Sequence, residues 1–264
     1  MSTYKADDAL GYQRSMGRWS SRLAPLFIQF AGIQDATHIL DVGCGTGSLT
    51  FAIADKLPRA SIVGMDYSQA FIDFARSKSN ASRFQFEQGD AAALRYADAT
   101  FDAAVSLLVL NFVPAAERAA REMRRVTKPG GLVAAAVWDF KGGLTFIRVL
   151  ADTAAVLDAT GETFRAKQFS APFTGAGEFA ATWSAMGLKD VVQTSLTIRM
   201  DFASFADYWT PWLNGQGTVG AYVTGLDQER RTRLEDHMRR AYLAGAPDGP
   251  RSFAATAWAV RGIV

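Results

Sequence analysis

Leu40-Asp-Val-Gly-Cys-Gly-Thr-Gly-Ser48 follows the short apolar run His38-Ile-Leu-Asp-Val42 and opens onto a helical pattern at 48–57. Strand, glycine-rich turn and helix in immediate succession make a loop that can come close to a ligand. Gly43, Gly45 and Gly47 carry no Cβ to obstruct the approach. The first amides of the following helix have no partners within it and face the same space. A dinucleotide fingerprint needs glycine at 43, 45 and 48, and position 48 is Ser48. The loop therefore departs from the pyrophosphate-binding pattern.

Outward from the loop, four more apolar runs follow: Ser61-Ile-Val-Gly-Met, Arg83-Phe-Gln-Phe-Glu, Phe101-Asp-Ala-Ala-Val-Ser and Leu132-Val-Ala-Ala-Ala-Val. Each is short and rich in branched or aromatic side chains, as buried strands are. Helical patterns at 48–57, 69–77 and 114–126 lie between them, with Pro114 where a first helical turn accepts it. This alternation predicts an α/β fold with right-handed crossovers, a parallel sheet and helices on both faces. Lys128-Pro-Gly-Gly131 predicts a turn that ends the third helix and leads into the fifth strand. Farther along, 191–200 alternates Leu196, Ile198 and Met200 with Ser195, Thr197 and Arg199, the pattern of a half-buried strand. A last apolar run covers 253–261. Helical stretches at 202–213, 219–225 and 228–243 form an insertion before that last strand.

The 264 residues are 49% apolar and 20% charged, enough to bury on the order of three quarters of the unfolded surface. A net charge of +2 sets up no field that would steer nucleic acid, and the isoelectric point of 8.7 reflects the same small surplus. Cys44 is the only cysteine, which excludes an internal disulfide. His38 and His237 are the only histidines, so a histidine-rich metal site is excluded and no metal is expected. The first ten residues are polar and acidic, unlike a signal peptide, and no apolar stretch approaches a membrane span. A cytoplasmic protein is expected, and the oligomeric state is not legible.

Two further carboxylates fall at strand ends. Asp66 closes the second strand about 20 residues after the loop, where an acid can accept from both hydroxyls of a ribose. Asp90 follows the third strand, in Gln88-Gly-Asp-Ala-Ala-Ala-Leu94, where it can receive an adenine amino group. Either acid alone suits an N-cap or a solvated loop. Ligand-ready positions at the ends of three consecutive strands point to a nucleoside site.

Together these residues resemble the class I S-adenosylmethionine-dependent methyltransferases. Asp41-Val-Gly-Cys-Gly-Thr-Gly47 is similar to that family's first motif, and Phe101-Asp-Ala-Ala-Val-Ser and Arg125-Val-Thr-Lys-Pro-Gly-Gly131 to its later ones. Within it, the chain is similar to the small-molecule branch related to ubiquinone and menaquinone biosynthesis. Tyr12-Gln-Arg-Ser-Met-Gly-Arg-Trp19 and Tyr208-Trp-Thr-Pro-Trp212 resemble an uncharacterised bacterial group of that branch. The resemblance implies a Rossmann-like sheet of seven mostly parallel strands with a reversed last strand. It implies S-adenosyl-L-methionine as cofactor, with Gly43, Cys44, Gly45 and Gly47 against its methionine and ribose. Asp41 would hold the loop or the ammonium, Asp66 the ribose diol, and Asp90 with the Ala91 amide the adenine. Met65 and Tyr67 could pack on the adenine face, while Ser106 and Leu107, placed just after the fourth strand, would touch the methionine end. Tyr12, Trp19 and Trp138 could surround the sulfonium, and Arg14 or Arg18 could clamp the carboxylate. The expected organisation is one domain: a lid and helix over 1–37, a cofactor-binding core over 38–140, and 141–264 with its insertion at 201–250.

Methyl transfer from a sulfonium needs alignment and exclusion of water more than a base, which suits a chain with so few histidines. Cytosine C5 chemistry would need a cysteine after the fourth strand, and Leu110-Asn-Phe-Val-Pro114 does not match the element used on adenine or glutamine amino groups. The expected acceptor is a small, apolar or aromatic molecule and not nucleic acid. Its site is placed at Asn111, Phe112, Trp138, Trp209, Trp212 and Tyr222, with Asp139 as the candidate for orienting or deprotonating it. Tyr12 to Trp19 would close as a lid. Two competing expectations are a cofactor-binding protein without methyl transfer and, with Ser48 against it, a nicotinamide-dependent oxidoreductase.

Overall fold

The computed structural model describes residues 8–34, 36–215 and 217–264. Its strands are β1 (His38–Val42), β2 (Ser61–Asp66), β3 (Phe84–Gln88), β4 (Phe101–Leu107), β5 (Thr127–Trp138), β6 (Lys189–Phe202) and β7 (Arg251–Ile263). They form one sheet in the order β3-β2-β1-β4-β5-β7-β6. β1 to β5 pair in parallel, and β7 runs antiparallel to β5 and to β6. The sheet is thus the seven-stranded, mostly parallel one with a reversed last strand. The reversed β7 lies between β5 and β6, which leaves β6 at the edge of the sheet.

Helices cover both faces. They are α1 (Ala9–Tyr12), α2 (Arg18–Ala31), α3 (Ser48–Lys56), α4 (Gln69–Ser77), α5 (Ala116–Val126), α6 (Thr145–Leu157), α7 (Ala159–Phe169) and α8 (Glu178–Ala185). Four more segments fill the stretch between β6 and β7: α9 (Phe205–Trp209), a 3-10 turn (Thr210–Asn214), α10 (Gly217–Gly225) and α11 (Gln228–Leu243). β5 shows how the two faces divide. Ala134, Ala136 and Trp138 enter one apolar cluster with α2, α3 and α6, while Val133, Ala135 and Val137 enter another with α5 and α8. α2 earns its place by periodicity, burying Leu23, Ala24, Phe27, Ile28 and Ala31 on one side. It stops at Gly32, whose φ of 72° closes the last turn onto Ile28. Phe205, Tyr208, Trp209, Trp212, Val219 and Tyr242, from between β6 and β7, belong to the α2 cluster as well.

Three local expectations change. Lys128 to Gly131 does not precede the fifth strand but bulges within it, since Phe101 pairs with Thr127 and Ala103 with Leu132. A side chain at Gly131 would meet the Asp102 carbonyl at 2.7 Å, so the bulge requires glycine there. The helix expected at 202–213 is broken: Phe202 still belongs to β6, Ser204 caps α9 through the Asp207 amide, and Pro211 lies in a 3-10 turn. α6, α7 and α8 had no counterpart in the sequence reading. Among the described residues, no helix is long and apolar enough to cross a membrane.

Candidate functional site

The carboxyl ends of β1, β2, β4 and β5 open into one cleft of about 480 Å³, the size of small-molecule sites. The glycine loop forms its floor. Gly43, Gly45 and Gly47 all have positive φ, at 74°, 54° and 89°. Gly43 needs glycine twice over, because a Cβ there would also meet Val109 at 2.4 Å. The amides of Gly43 and Cys44 both donate to the Met65 carbonyl, at 2.7 and 3.0 Å, which ties the loop to the end of β2.

Asp66 completes that tie. Its Oδ2 accepts from the Gly45 amide at 2.9 Å and its Oδ1 from the Ser68 amide at 2.8 Å. The sequence offered it a ribose, an N-cap or a solvated loop; in the structure it sets the shape of the glycine loop. Burial raises its carboxyl above the usual range, against the lowering effect of those amides. Asp41 lies beneath the loop with no exposure. Its Oδ2 accepts from the Thr50 hydroxyl at 2.6 Å, and its Oδ1 has no partner. Burial pushes this carboxyl up to about 7. An unpartnered, buried carboxylate oxygen beside an open cleft fits an incoming ammonium. Asp90 lines the cleft at its far end, its Oδ1 held by the Ala92 amide at 2.8 Å, with Ala91 beside it.

The N-terminal segment walls the cleft from above. Between α1 and α2, Gln13–Gly17 forms a π-turn, a distortion often found where a helix serves a site. Tyr12 lines the cleft, its hydroxyl within 3.3 Å of Ser20 Oγ and its ring 5.0 Å from Phe71. The Thr46 hydroxyl donates to Gln13 Oε1 at 2.9 Å, joining this segment to the glycine loop. The part of the expected lid at 1–7 lies outside the described residues. Toward β4 and β5 the lining turns apolar: Leu107, Phe112, Trp138, Phe140, Ile147 and Trp212. Phe112 meets Phe140 edge-on at 5.9 Å.

Of the residues expected at the site, Tyr12, Asp41, Gly43, Cys44, Gly45, Asp66, Tyr67, Asp90, Ala91, Leu107, Phe112, Trp138 and Trp212 line this cleft. Others do not. Arg18 turns away and pairs with Asp207 at 3.0 Å, its guanidinium 4.3 Å from the Trp19 ring. Trp19 itself is buried against Phe202, and Arg14 is exposed elsewhere. Ser106 is still within β4 and donates to the Val42 carbonyl at 2.8 Å, bracing β1 against β4. Gly47 is the N-cap of α3, where Phe51 covers it. Trp209 stacks on Phe205 and Tyr222 on Phe164, so both pack the insertion. Asn111 is buried behind the cleft wall with both polar atoms unpartnered. Asp139 folds back on its own turn: its Oδ1 accepts from the amides of Lys141 and Gly142, both at 3.0 Å. Asp139→Asn keeps an acceptor for that turn, so turnover should stay within about twofold and stability within about 1 kcal/mol. A steady-state assay beside a thermal melt reads both, and a large loss of kcat would return Asp139 to the site.

The sequence missed Met16, Leu108, Phe140, Ile147 and Val219, which also line the cleft. Leu108 has a φ of 65°, unusual for a side-chain-bearing residue, just past β4. No local signal announces such strain, and Phe140 and Ile147 lie in a stretch with no motif.

Residues 40–135 match the family model described as a methyltransferase domain. The demethylmenaquinone methyltransferase of Lactobacillus johnsonii is 35% identical over 112 residues, 40% of this chain and 46% of that protein. The chain spans about half the length of the curated relatives it matches. The YcgJ protein of Bacillus subtilis shares the fold, with a TM-score of 0.58 at 18% identity over 92% of this chain and 97% of that one. So does phosphoethanolamine N-methyltransferase 2 of Haemonchus contortus, solved with S-adenosyl-L-methionine, at a TM-score of 0.59 and 12% identity over 97% of this chain and 56% of that one. Residues 40–135 thus match a methyltransferase domain, are similar to part of the demethylmenaquinone methyltransferases, and sit in a seven-stranded frame that the YcgJ protein and phosphoethanolamine N-methyltransferase 2 share.

Proposed function

We propose that the chain transfers the methyl group of S-adenosyl-L-methionine to a small, apolar or aromatic acceptor in the cytoplasm, and not to nucleic acid. One observation carries the proposal furthest. Asp41, Asp66 and Asp90 stand around a single cleft floored by Gly43 and Gly45, both in the left-handed conformation, and Asp41 has an oxygen with no partner. That set of acceptors suits an ammonium, a ribose diol and an adenine amino group in one row. The bound cofactor supplies an electrophilic methyl on a cationic sulfur with a good leaving group. The protein's own task is to hold and to dry. Asp66 and the Gly43–Cys44 amides fix the loop, Tyr12 and Phe71 cover it, and Phe112, Trp138, Phe140 and Trp212 exclude water from the side where an acceptor enters.

Calorimetric titration with S-adenosylmethionine, its demethylated product and NADH tests the cofactor. Binding of the first two and not the third is expected, and NADH binding alone would sink the proposal. Labelled methyl transfer into a metabolite extract then tests the activity; tight cofactor binding with no labelled product would favour a non-methylating binder. Hydrogen exchange gives a further expected outcome. Tyr12 to Trp19 should exchange more slowly with cofactor bound, because Tyr12 and Gln13 already touch the walls of its site. Equal rates with and without cofactor would leave the segment a fixed wall and not a lid.

A further inference from the structure

We infer that the acceptor enters this cleft already ionised: an acidic aromatic or enolic hydroxyl, or a thiol, whose anion pairs with the cofactor's sulfonium. The inference rests on the methyltransferase reading and names the substrate class of that same site. It comes from where the ionisable groups lie. Every carboxylate lining the cleft is at the cofactor end: Asp41 under the loop, Asp66 after β2, Asp90 beyond β3. The half toward β4 and β5 is walled by Phe112, Trp138, Phe140, Ile147, Trp212 and Val219. Its polar side-chain groups are hydroxyls and the indole N–H groups of Trp138 and Trp212, none of which is a base. Thr218 accepts from Gln168 Nε2 at 2.7 Å, and the Ser15 hydroxyl donates to the Tyr12 carbonyl at 3.1 Å. No carboxylate, imidazole or amine faces this half among the described residues.

Both histidines are elsewhere. His38 opens β1 and stacks on Phe101 at 4.7 Å, and His237 sits on α11 beside Arg240. Asp139, the first carboxylate past β5, does not line the cleft, and its Oδ1 accepts from two backbone amides. A neutral phenol arriving here would find nothing to take its proton, and apolar walls oppose ionising it in place. An anion arriving beside a cationic sulfur meets the opposite balance, because attraction between the two charges is strengthened where water is excluded. In the transfer, a lone pair of the acceptor's O⁻ or S⁻ forms the new bond to the methyl carbon. The carbon–sulfur bond breaks with its pair going to sulfur, which leaves neutral. No proton is released in the cleft, so none needs a base.

4-Nitrophenol and 4-nitrothiophenol are suitable probes, since their anions differ in colour from the neutral forms. Each is titrated into protein first shown by calorimetry to be loaded with S-adenosylmethionine or with the demethylated product. That first step separates the two readings: failure to load sinks the methyltransferase proposal before the acceptor is tested. With S-adenosylmethionine, the bound probe should ionise at least about one unit below its pKa in solution, a tenfold shift in ratio, and the neutral thioether product should produce no such shift. In turnover at saturating cofactor, the pH profile should move with the pKa of each substituted phenol. Bound probes that stay neutral, equal ionisation with both cofactor forms, no binding to the loaded protein, or one fixed inflection across all phenols would each overturn the inference. A fixed inflection would point instead to a base supplied by the protein.

Discussion

Asp66→Ala is expected to weaken S-adenosylmethionine binding roughly 5- to 150-fold, about 1–3 kcal/mol, with the fold retained. Two losses combine. The carboxylate that would accept from the ribose is gone, and the Gly45 and Ser68 amides lose the oxygens that hold them at 2.9 and 2.8 Å. The second loss matters because the Gly45 amide belongs to the loop itself; without Asp66, one of the loop's ties to the end of β2 is lost. Gly43 and Cys44 still donate to the Met65 carbonyl, so the loop should loosen without unfolding. Asp66→Asn retains one acceptor and should fall between the two. Calorimetry gives the dissociation constants, and a thermal melt of each variant checks that the protein is intact. An unchanged constant for a folded alanine variant would remove Asp66 from the site.

The contrast between Asp66 and Arg18 shows what a sequence makes legible. Position relative to a strand end is nearly a geometric statement in a parallel sheet, because ligands gather where the strands stop. Asp66, Asp90 and the loop could therefore be placed from pattern, while a role for Asp41 came from the family resemblance. The strands were legible from short, mostly apolar runs in β1, β2, β4 and the second half of β5, rich in branched side chains. Arg18 lies on a helix whose rotation about its axis depends on distant partners. Its partner Asp207 stands 189 positions away, and nothing local encodes that pairing. Trp209 and Tyr222 make the same point from the opposite side. An aromatic stripe is equally suited to a ligand and to a core, and here Phe205 and Phe164 claim the rings. The acceptor side was hardest to read. Phe140 and Ile147 reach the cleft only because the chain turns back after β5, on a turn held by Asp139, and Leu108 only because its backbone is left-handed.

Binding of S-adenosylmethionine should release a proton below about pH 7, and its affinity should fall by up to about tenfold for each further unit of acidity. Asp41 is the cause. With the cleft open its carboxyl is held up to about 7, first by burial and then, in part, by the nearby Asp66, against the stabilising bond from Thr50. An ammonium placed on the unpartnered Oδ1 would favour the carboxylate, so at pH 6 binding must first expel the proton. For the stability of the cofactor-free protein the sign is reversed. The folded, cofactor-free protein holds this proton more tightly than the unfolded chain, whose carboxyl titrates near 4. The stabilisation is therefore complete below pH 4 and is lost as pH rises toward 7, after which this group contributes no further slope. Calorimetry at pH 6 in buffers of different ionisation heat counts the released proton directly. In Asp41→Asn the release should vanish, the affinity should stop depending on pH between 6 and 8, and the cofactor-free protein should gain stability at pH 8, because a buried charge has been removed. Persistence of the proton release in that variant would assign it to another group, and Asp41 would then serve the loop through Thr50 alone.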